Sequence, residues 1–406
     1  MRYHNTTRLR LLAPAAFFLL VPLASATAQS ADYLPPPGDQ WATHTPAQEG
    51  LNAAKLKAAI DFAVAHETKL TPDLDGVIDQ RDQRITIPLQ FAHEPFSDPI
   101  GPLTAHAPAN GMIIRHGTIV AEWGDTHAVD MTHSATKTFL SSVAGVAFDH
   151  HLIRDVHDRV LDYVHPSPDF ELPHNQPITW DEMLRQTSGW IGTMWGKPWW
   201  ADRPGEHPWT ELAAGPPPVG QQWKYSDVRV NALALALTYL WKRPLPDVLR
   251  EYVMDPIGAS HAWHWENYTN AWVTINGKRM PVPPGGGHWG GGMFISARDL
   301  ARMGLLGLHK GKWGDKQILS DAWVKMARTP TPQEPTYGYM NWFLNTDHKM
   351  YPAAREDCVT FLGNGDNIVF IDYQHDLVAV VRWLDDKQKA EFVRLLETAI
   401  DSGDAQ

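Results

Sequence analysis

Ser134 and Lys137 lie three positions apart, at the start of a stretch whose apolar pattern predicts a helix from Ser134 to Asp149. If the helix begins at Ser134, Lys137 lies one turn later on the same face, and its ammonium can approach the serine hydroxyl. The N-terminus of a helix also offers backbone N–H groups to a developing oxyanion. Because serine is also an ordinary N-cap residue, the pair alone does not establish catalysis.

Tyr225, Ser226 and Asp227 form a second candidate group, immediately before a helix predicted over Val228–Trp241. A tyrosine at a junction between loop and helix can project its hydroxyl into a cleft. The same residue can also simply pack against the first turn of the helix. By itself, packing is the simpler interpretation.

In combination, Ser134-x-x-Lys137 and Tyr225-Ser226-Asp227 resemble the first two motifs of the serine β-lactamase and D-alanyl-D-alanine peptidase family. The resemblance is closer to the class C-like and esterase members, whose second motif is Tyr-x-Asn. Four further segments match that family in order: Trp180–Gly189 ("LLxHTSG"), Pro218–Trp223 ("PGxxWxYS"), Gly291–Arg302 ("GGxxSTAxDLARF") and Tyr337–Tyr339 ("YGYGW"). The matches extend over about residues 50–400.

The resemblance implies a serine hydrolase in which Ser134 attacks an acyl carbonyl and forms a covalent acyl-enzyme. Lys137 and Tyr225 would share the proton, and the sequence leaves open which of them is the base. Either needs a pKa below its free value, which is about 10.4 for lysine and 10 for tyrosine. Backbone N–H groups of Ser134 and of the strand at Leu362 and Gly363 would form the oxyanion hole. Neither a metal nor an organic cofactor is implied.

Two departures from the family pattern concern the substrate. The second motif ends in Asp227 instead of asparagine, so this side chain cannot donate a hydrogen bond unless it is protonated. The expected third motif, Lys-Thr-Gly or His-x-Gly, has its counterpart in residues 358–367, which contain no Lys, Arg or His. Family members that act on penicillin or peptidoglycan use that cation near the substrate carboxylate. Because it is absent here, a small ester or amide is the leading substrate. The Gly-rich third motif is more similar to that of carboxylesterases and 6-aminohexanoate-dimer hydrolases of the same fold. The alternative function is that of a β-lactamase or a D-alanyl-D-alanine peptidase.

The predicted elements give an order of helix, hairpin, helical middle, strands and closing helix. The hairpin spans Met112–Trp123, and the last strands are Asn367–Ile371 and Leu377–Trp383. Helices are predicted over Leu51–His66, Arg154–Val164, Trp180–Gln186, Leu245–Val253, from about Ala297, and over Lys387–Ile400. This order suggests one antiparallel sheet completed by both ends of the chain. The resemblance implies an α/β (α+β) fold of the β-lactamase/transpeptidase type, with which the order is compatible. Residues 29–133 and 290–406 would form the α/β lobe and residues 134–289 a mainly helical lobe, with the active site between the two lobes.

Two loops have no regular period. Residues 67–108 are predicted to be a surface excursion, and the Trp-rich stretch Trp190–Gly220 is either a pocket wall or a packed surface loop. A Trp-rich platform also supports a rival function, that of a non-catalytic ligand-binding protein. Covalent labelling of an activated serine would separate the two functions.

The N-terminal 28 residues are predicted to be a secretory signal peptide. Arg2, Arg8 and Arg10 precede a 13-residue apolar run, and Ala26-Thr27-Ala28 forms a small-x-small cleavage site. A single membrane anchor is the alternative, although the run is short for a spanning helix. The expected product is a periplasmic or secreted protein without a stable membrane anchor.

Composition limits the partners. The formal charge of −11 argues against a nucleic-acid partner, and a small-molecule substrate is expected. The oligomeric state is left open. Cys358 is the only cysteine, so no disulfide can form within the chain, and it is expected to be a small buried apolar residue.

Overall fold

A seven-stranded antiparallel sheet has helices packed on both of its faces. It is seen in a computed structural model that describes Met1 and residues 33–71, 85–86, 90–164, 167–204 and 208–400. The α-helices of these residues are α1 (Ala53–Ala65), α2 (Thr136–Asp149), α3 (Pro168–Glu171), α4 (Trp180–Leu184), α5 (Pro208–Ala214), α6 (Asp227–Trp241), α7 (Leu245–Leu249), α8 (Ala297–Leu308), α9 (Asp321–Ala327) and α10 (Lys389–Ala399).

The strands of the described residues are β1 (Leu70–Thr71), β2 (Ile85–Thr86), β3 (Asn110–Arg115), β4 (Thr118–Trp123), β5 (Asp130–Met131), β6 (Thr193–Met194), β7 (Lys197–Pro198), β8 (His264–Glu266), β9 (Trp272–Ile275), β10 (Lys278–Pro281), β11 (Gly292–Ile295), β12 (Lys312–Trp313), β13 (Lys316–Gln317), β14 (Tyr337–Gly338), β15 (Met340–Leu344), β16 (Val359–Gly363), β17 (Asn367–Asp372) and β18 (Leu377–Arg382). Short 3-10 turns lie at Pro46–Glu49, His133–Ala135, Val160–Asp162, Thr346–His348 and Asp386–Gln388, and a π-helical turn, Arg250–Met254, follows α7.

The strand order of the main sheet joins the two ends of the chain. It runs β14-β15-β16-β17-β18-β3-β4, with β18 pairing antiparallel to β3 from Leu377↔Arg115 to Arg382↔Asn110. The predicted hairpin is confirmed, and it turns at His116 and Gly117, whose φ angles of 49° and 78° are left-handed. The expected antiparallel sheet, built from both ends of the chain, is therefore present.

Alternate residues of the central strands enter two separate cores. In β3, Met112 and Ile114 join the larger core, whereas Ile113 joins the smaller one. In β18, Val380 and Ala379 divide in the same way. This period of two is what a sheet covered on both faces requires. Helix α8 covers the larger-core face, and α1 and α10 cover the other.

Helix α8 approaches the sheet closely because it carries a glycine at the contact. A Cβ at Gly304 would lie 2.6 Å from a methyl of Val378 and 2.8 Å from a methyl of Val369. Real Cβ atoms do not come so close, so this helix face has no room for a side chain.

The helical middle contains two deeply buried helices. Helix α2 is buried along Thr136–Ala147, and α6 is buried from Asp227 to Thr238. The predicted helix over Arg154–Val164 is wrong, since only the 3-10 turn Val160–Asp162 forms there. The Asp155 carboxylate accepts from the backbone N–H of His157, and such local side-chain hydrogen bonds compete with helix formation.

Several predictions have no counterpart among the described residues. Apart from Met1, the predicted signal peptide, residues 1–28, lies outside them. The division into two lobes at residues 134 and 289 stays a prediction. Within the part of the chain that the structure describes, no helix has the length and apolar character needed to cross a membrane.

Candidate active site

Ser134 lies in a tight turn that connects β5 to α2. The 3-10 turn His133–Ala135 leads directly into α2, close to the predicted helix start. His133 is buried and takes a left-handed φ of 46°. The turn is packed against Gly286, where a Cβ would overlap the His133 carbonyl oxygen. The hydroxyl of Thr136 accepts a hydrogen bond from Met293 N at 3.0 Å, which fixes the first turn of α2.

Lys137 is fully buried directly behind the serine. Its Nζ donates to Ser134 Oγ at 2.7 Å and to the carbonyl oxygen of Gly285 at 3.3 Å. The same nitrogen lies 2.8 Å from Asp227 Oδ1. Three acceptors therefore surround one nitrogen, which matches the three N–H bonds of an ammonium group.

The charge of Lys137 follows from these neighbours. Burial alone would lower the pKa of Lys137, but the Asp227 carboxylate and Tyr225 raise it more. The pKa of Lys137 therefore lies above its ordinary value, and a lowered pKa, which the sequence analysis allowed for either Lys137 or Tyr225, is wrong for this lysine. Asp227 is the reason, because an asparagine at this position would carry no charge.

Asp227 is the first residue of α6, where Ser226 caps the helix by accepting from Arg229 N. Its carboxylate is buried, and Arg203 Nη1 lies 3.1 Å from Oδ2. Burial raises the pKa of Asp227, but Lys137, Arg203 and His288 lower it well below its ordinary value. Asp227 is therefore a carboxylate, and it is the anion shared by two neighbouring cations.

Tyr225 has a cation near its ring on two sides. The centroid of its ring lies 4.9 Å from Lys137 Nζ and 4.9 Å from Arg203 Cζ. Such contacts between a cation and an aromatic ring are favourable electrostatically.

Ser134, Arg203 and Tyr225 face a cleft of about 400 Å³, whereas the buried Lys137 and Asp227 do not line it. Its wall consists of Phe91, His133, Ser134, Arg203, Trp223, Tyr225, Gly286, Gly287, His288, Phe343, Leu362, Gly363, Asn364, Asp366 and Asp386. The predicted oxyanion residues Leu362 and Gly363 are among them, and a Cβ at Gly363 would overlap the carbonyl oxygen of Thr132, next to the Ser134 turn. A larger depression of about 1090 Å³ lies elsewhere, around Lys310 and Lys325, and contains none of the predicted site residues.

The cleft also contains residues that the sequence analysis missed. Arg203 comes from the Trp-rich loop, and Phe91 comes from the segment predicted to be a surface excursion. The loop is both a pocket wall and a packed loop, since Trp190 is fully buried whereas Arg203 lines the cleft. No spacing in the sequence distinguishes Arg203 from other loop arginines, because loops have no period.

The strand that lines the site, β16, lacks a cation, as the sequence analysis expected. Strand β16 carries no cation, and Asp366 follows it. Burial raises the pKa of Asp366 to about 8, although Lys389 lowers it. Arg382, the nearest strand cation in sequence, is buried and donates to the carbonyl oxygens of Ile295 and Met131 at 2.8 Å each.

Three buried acidic side chains lie around His288, beside the cleft. His288 Nδ1 lies 3.4 Å from Asp227 Oδ2 and 4.0 Å from Asp202 Oδ1, and Nε2 lies 3.4 Å from Glu94 Oε2. Burial raises the pKa of Glu94, an effect that His288 opposes and Asp202 reinforces. Glu94, Asp202 and His288 are close enough to hold a metal ion, since their ligand atoms lie within 4.8 Å of one another.

The fold is of the β-lactamase/transpeptidase type. The sequence model of the Beta-lactamase family matches residues 111–400, and the chain belongs to this family. No curated protein sequence matches the chain.

Solved structures share the fold at low sequence identity. A penicillin-binding protein homologue from Caulobacter crescentus has a TM-score of 0.53 and 14% identity, covering 77% of this chain and 95% of that one. A D-stereospecific amidohydrolase from Streptomyces sp. has a TM-score of 0.50 and 16% identity, with coverages of 85% and 98%. EstCE1, a hydrolase with promiscuous acyltransferase activity, also scores 0.50 at 16% identity, with coverages of 78% and 97%. The fold is thus one used by hydrolases.

Proposed function

We propose that this protein hydrolyses a small ester or amide through a covalent acyl-enzyme on Ser134. The observation that carries the proposal is the 2.7 Å contact between Ser134 Oγ and Lys137 Nζ beside an open cleft. A serine hydroxyl that accepts from a buried ammonium has its oxygen held in place for attack on a carbonyl.

The proton balance favours Tyr225 as the base. Lys137 carries three protons directed at three acceptors, so it has no lone pair with which to accept a fourth. In the proposed step Tyr225 acts as its phenolate and takes the hydroxyl proton of Ser134, while the serine oxygen forms a bond to the acyl carbon and the carbonyl electron pair moves onto the carbonyl oxygen. Tyr225 then gives that proton to the leaving oxygen or nitrogen as its bond to the acyl carbon breaks. Water repeats the sequence on the acyl-enzyme and releases the acid.

The proposed oxyanion site is the backbone at Ser134 and at the end of β16. Leu362 and Gly363 line the cleft where β16 meets the Ser134 turn. Donors fixed by a strand and a helix start need no reorganisation when negative charge appears on the carbonyl oxygen.

The charges of the cleft support a neutral substrate. Arg203 is the cation that lines the cleft beside Tyr225, and its Nη1 already lies near Asp202 and Asp227. In the same cleft, burial raises the pKa of Asp366 to about 8, which favours its uncharged form near neutral pH. A substrate carboxylate would therefore lose water without meeting an uncompensated cation, which is unfavourable.

A fluorophosphonate probe tests this proposal. The purified protein should be labelled on Ser134, and Ser134→Ala should abolish labelling. Ser141→Ala is the matched control, because Ser141 is a buried serine two turns further along α2. An unlabelled wild-type protein that binds small molecules would support the rival function of a non-catalytic binding protein.

The site of action is also part of the proposal. The basic, apolar and small-x-small segments of residues 1–28 support cleavage of a signal peptide and a periplasmic or secreted product.

A further inference from the structure

The guanidinium of Arg203 is only partly engaged by the protein. Its Nη1 lies 2.7 Å from Asp202 Oδ1 and 3.1 Å from Asp227 Oδ2. Within the part of the chain that the structure describes, Nε and Nη2 have no hydrogen-bond partner. The side chain is 32% exposed and lines the cleft. Because arginine carries its N–H donors in a planar fork, the second edge of this fork is available to a molecule in the cleft.

Two aromatic rings and two carboxylates hold Arg203 in place. Its Cζ lies 4.9 Å from the ring centroid of Tyr225 and 5.7 Å from that of Phe91. The carboxylates of Asp202 and Asp227 fix the orientation of the planar group between these rings. A donor that is already ordered loses little conformational freedom when a ligand binds to it.

Arg203 lies on the side of the site where the leaving group departs. In the proposed mechanism Tyr225 gives a proton to the leaving oxygen or nitrogen, so that atom must come close to the Tyr225 hydroxyl. Arg203 lies against the ring of the same tyrosine, and Asp227 connects it to Lys137 through the other carboxylate oxygen. The available donors of Arg203 are therefore placed beside the leaving group of a bound substrate.

The charges around Arg203 favour a neutral oxygen over a carboxylate. The carboxyl groups near its guanidinium and backbone already outnumber the lysine and arginine side chains of the same cluster: Glu94, Asp202 and Asp227 against Lys137 and Arg203. A substrate carboxylate would add a further negative charge to this partly buried group, which is costly. An amide carbonyl accepts from the same donors and adds no charge.

We propose that Arg203 is a specificity-determining residue that binds a neutral carbonyl oxygen in the leaving group. The favoured substrates are then esters or amides with two carbonyl groups, one attacked by Ser134 and the other, in the leaving group, bound by Arg203. The inference rests on the proposed function, because it names the leaving group of the same reaction.

Three butyrate esters with leaving groups of similar size provide the test. Carbamoylmethyl butyrate offers a neutral carbonyl, isobutyl butyrate replaces it with a branched hydrocarbon, and carboxymethyl butyrate replaces it with a carboxylate. All three form the same butyryl-enzyme, so differences in kcat/KM arise from the leaving group. The quantity to compare among variants is the ratio of kcat/KM for the carbamoylmethyl ester to that for the isobutyl ester, because the inherent reactivities of the esters cancel in this comparison.

Two substitutions of Arg203 should lower that ratio. Arg203→Lys keeps a positive charge beside Asp227 but loses the planar fork, whereas Arg203→Met loses both. In each variant the ratio should fall about tenfold or more from the wild-type value, as expected for loss of a charge-assisted hydrogen bond. Arg185→Lys is the matched control, because Arg185 also pairs with an aspartate and lies over a tyrosine ring but does not line the cleft.

Arg203→Lys decides the test if Arg203→Met does not fold. An unchanged ratio in folded Arg203→Lys would overturn the proposal. So would a wild-type kcat/KM that is higher for the carboxymethyl ester than for the carbamoylmethyl ester, because Arg203 would then act as a site for an anion.

Binding to Ser134→Ala gives a second measurement that does not depend on turnover. Adding Arg203→Lys to this variant should weaken the binding of the carbamoylmethyl ester much more than that of the isobutyl ester, as measured by calorimetry. Equal weakening of both would indicate a merely structural role and would contradict the proposal. Absent fluorophosphonate labelling of the wild type would instead refute the proposed function, and the two failures are therefore distinguishable.

Discussion

The residue that most distinguishes this site is Asp227, which stands where the similar family members have asparagine. It converts a neutral contact of Lys137 into a buried ion pair of 2.8 Å. Arg203 also pairs with this carboxylate. Asp227 therefore connects Lys137, which contacts Ser134, to the Trp-rich loop that forms part of the cleft wall. The charge of Lys137 therefore depends on a residue that does not line the cleft.

Asp227→Asn should shift the pH dependence of the reaction. Loss of the anion removes the main cause that raises the pKa of Lys137, so this pKa should fall. The alkaline limb of kcat/KM should then move to lower pH, by about 1–3 units as expected for loss of a close opposite charge. Rates on a p-nitrophenyl ester between neutral and alkaline pH measure the effect.

A second aspartate provides the control for that variant. Asp181→Asn removes a carboxylate that pairs with Arg185 and does not line the cleft, and its pH profile should match the wild type. If Asp227→Asn kept the wild-type alkaline limb, Asp227 would not govern the charge of Lys137.

Lys137 and Tyr225 should behave as one unit. Lys137→Ala and Tyr225→Phe should each lower kcat by several orders of magnitude, and the double variant should lose little more, because each residue needs the other. Single-turnover rates of acylation give the comparison. Independent, multiplicative losses would mean that the two residues act in separate steps.

At the scale of elements, the contact between β16 and the Ser134 turn determines the shape of the site. Gly363 lies against the Thr132 carbonyl with no room for a side chain. Gly363→Ala should push the strand away from the nucleophile and lower kcat/KM by roughly 10–100-fold, since small displacements of reacting groups have large effects.

Gly111→Ala is the matched control for this substitution. A Cβ at Gly111 would overlap the carbonyl oxygen of Val380, which is the same kind of clash in the same sheet but away from the cleft. Both variants should lose about 1–3 kcal/mol of stability in denaturant unfolding. Only Gly363→Ala should lower kcat/KM of the folded protein, and equal losses would contradict a specific role for this contact.

The elements that could be predicted from sequence are those with a strong period. The hairpin at Met112–Trp123, the buried helix after Ser134 and the last two strands all have apolar repeats of 2 or about 3.6 residues. The segment Arg154–Val164 has a similar pattern but forms no α-helix, because aspartate side chains bond to nearby backbone groups. Ser134, Lys137 and Tyr225 were identifiable because two motifs occur in family order. Arg203 and His288 reach the site through loops, and no local pattern fixes where a loop folds.

For the whole molecule, the charge distribution of the cleft leads to a prediction about substrates. Neutral short-chain esters or amides should be hydrolysed with kcat/KM at least about tenfold above penicillins or cephalosporins, a difference of about 1.4 kcal/mol in transition-state binding. The comparison needs p-nitrophenyl esters, linear amides and a chromogenic cephalosporin on one preparation of the protein. Efficient cephalosporin hydrolysis without esterase activity would reverse the substrate assignment and leave the Ser134 mechanism in place.

The proposed export leads to a prediction about the covalent state of the mature chain. Intact-mass measurement after expression in a bacterial host should show loss of residues up to about Ala28, with the product outside the cytoplasm. A retained N-terminus in the membrane fraction would support the alternative of a membrane anchor. Replacing Ala26 and Ala28 with larger residues should block the cleavage.

The Gly285–Gly287 segment has a consequence for engineering this enzyme. Its first carbonyl accepts from Lys137, and a Cβ on its last residue would lie 2.5 Å from the Asp227 carboxylate. One short peptide therefore contacts both motifs, and any side chain added to it disturbs both together. A mutant library meant to change the substrate range should keep these three glycines. It should vary Leu362 and Asn364, which also line the cleft and already carry side chains. Diversity placed there alters what the cleft accepts while the nucleophile stays in position.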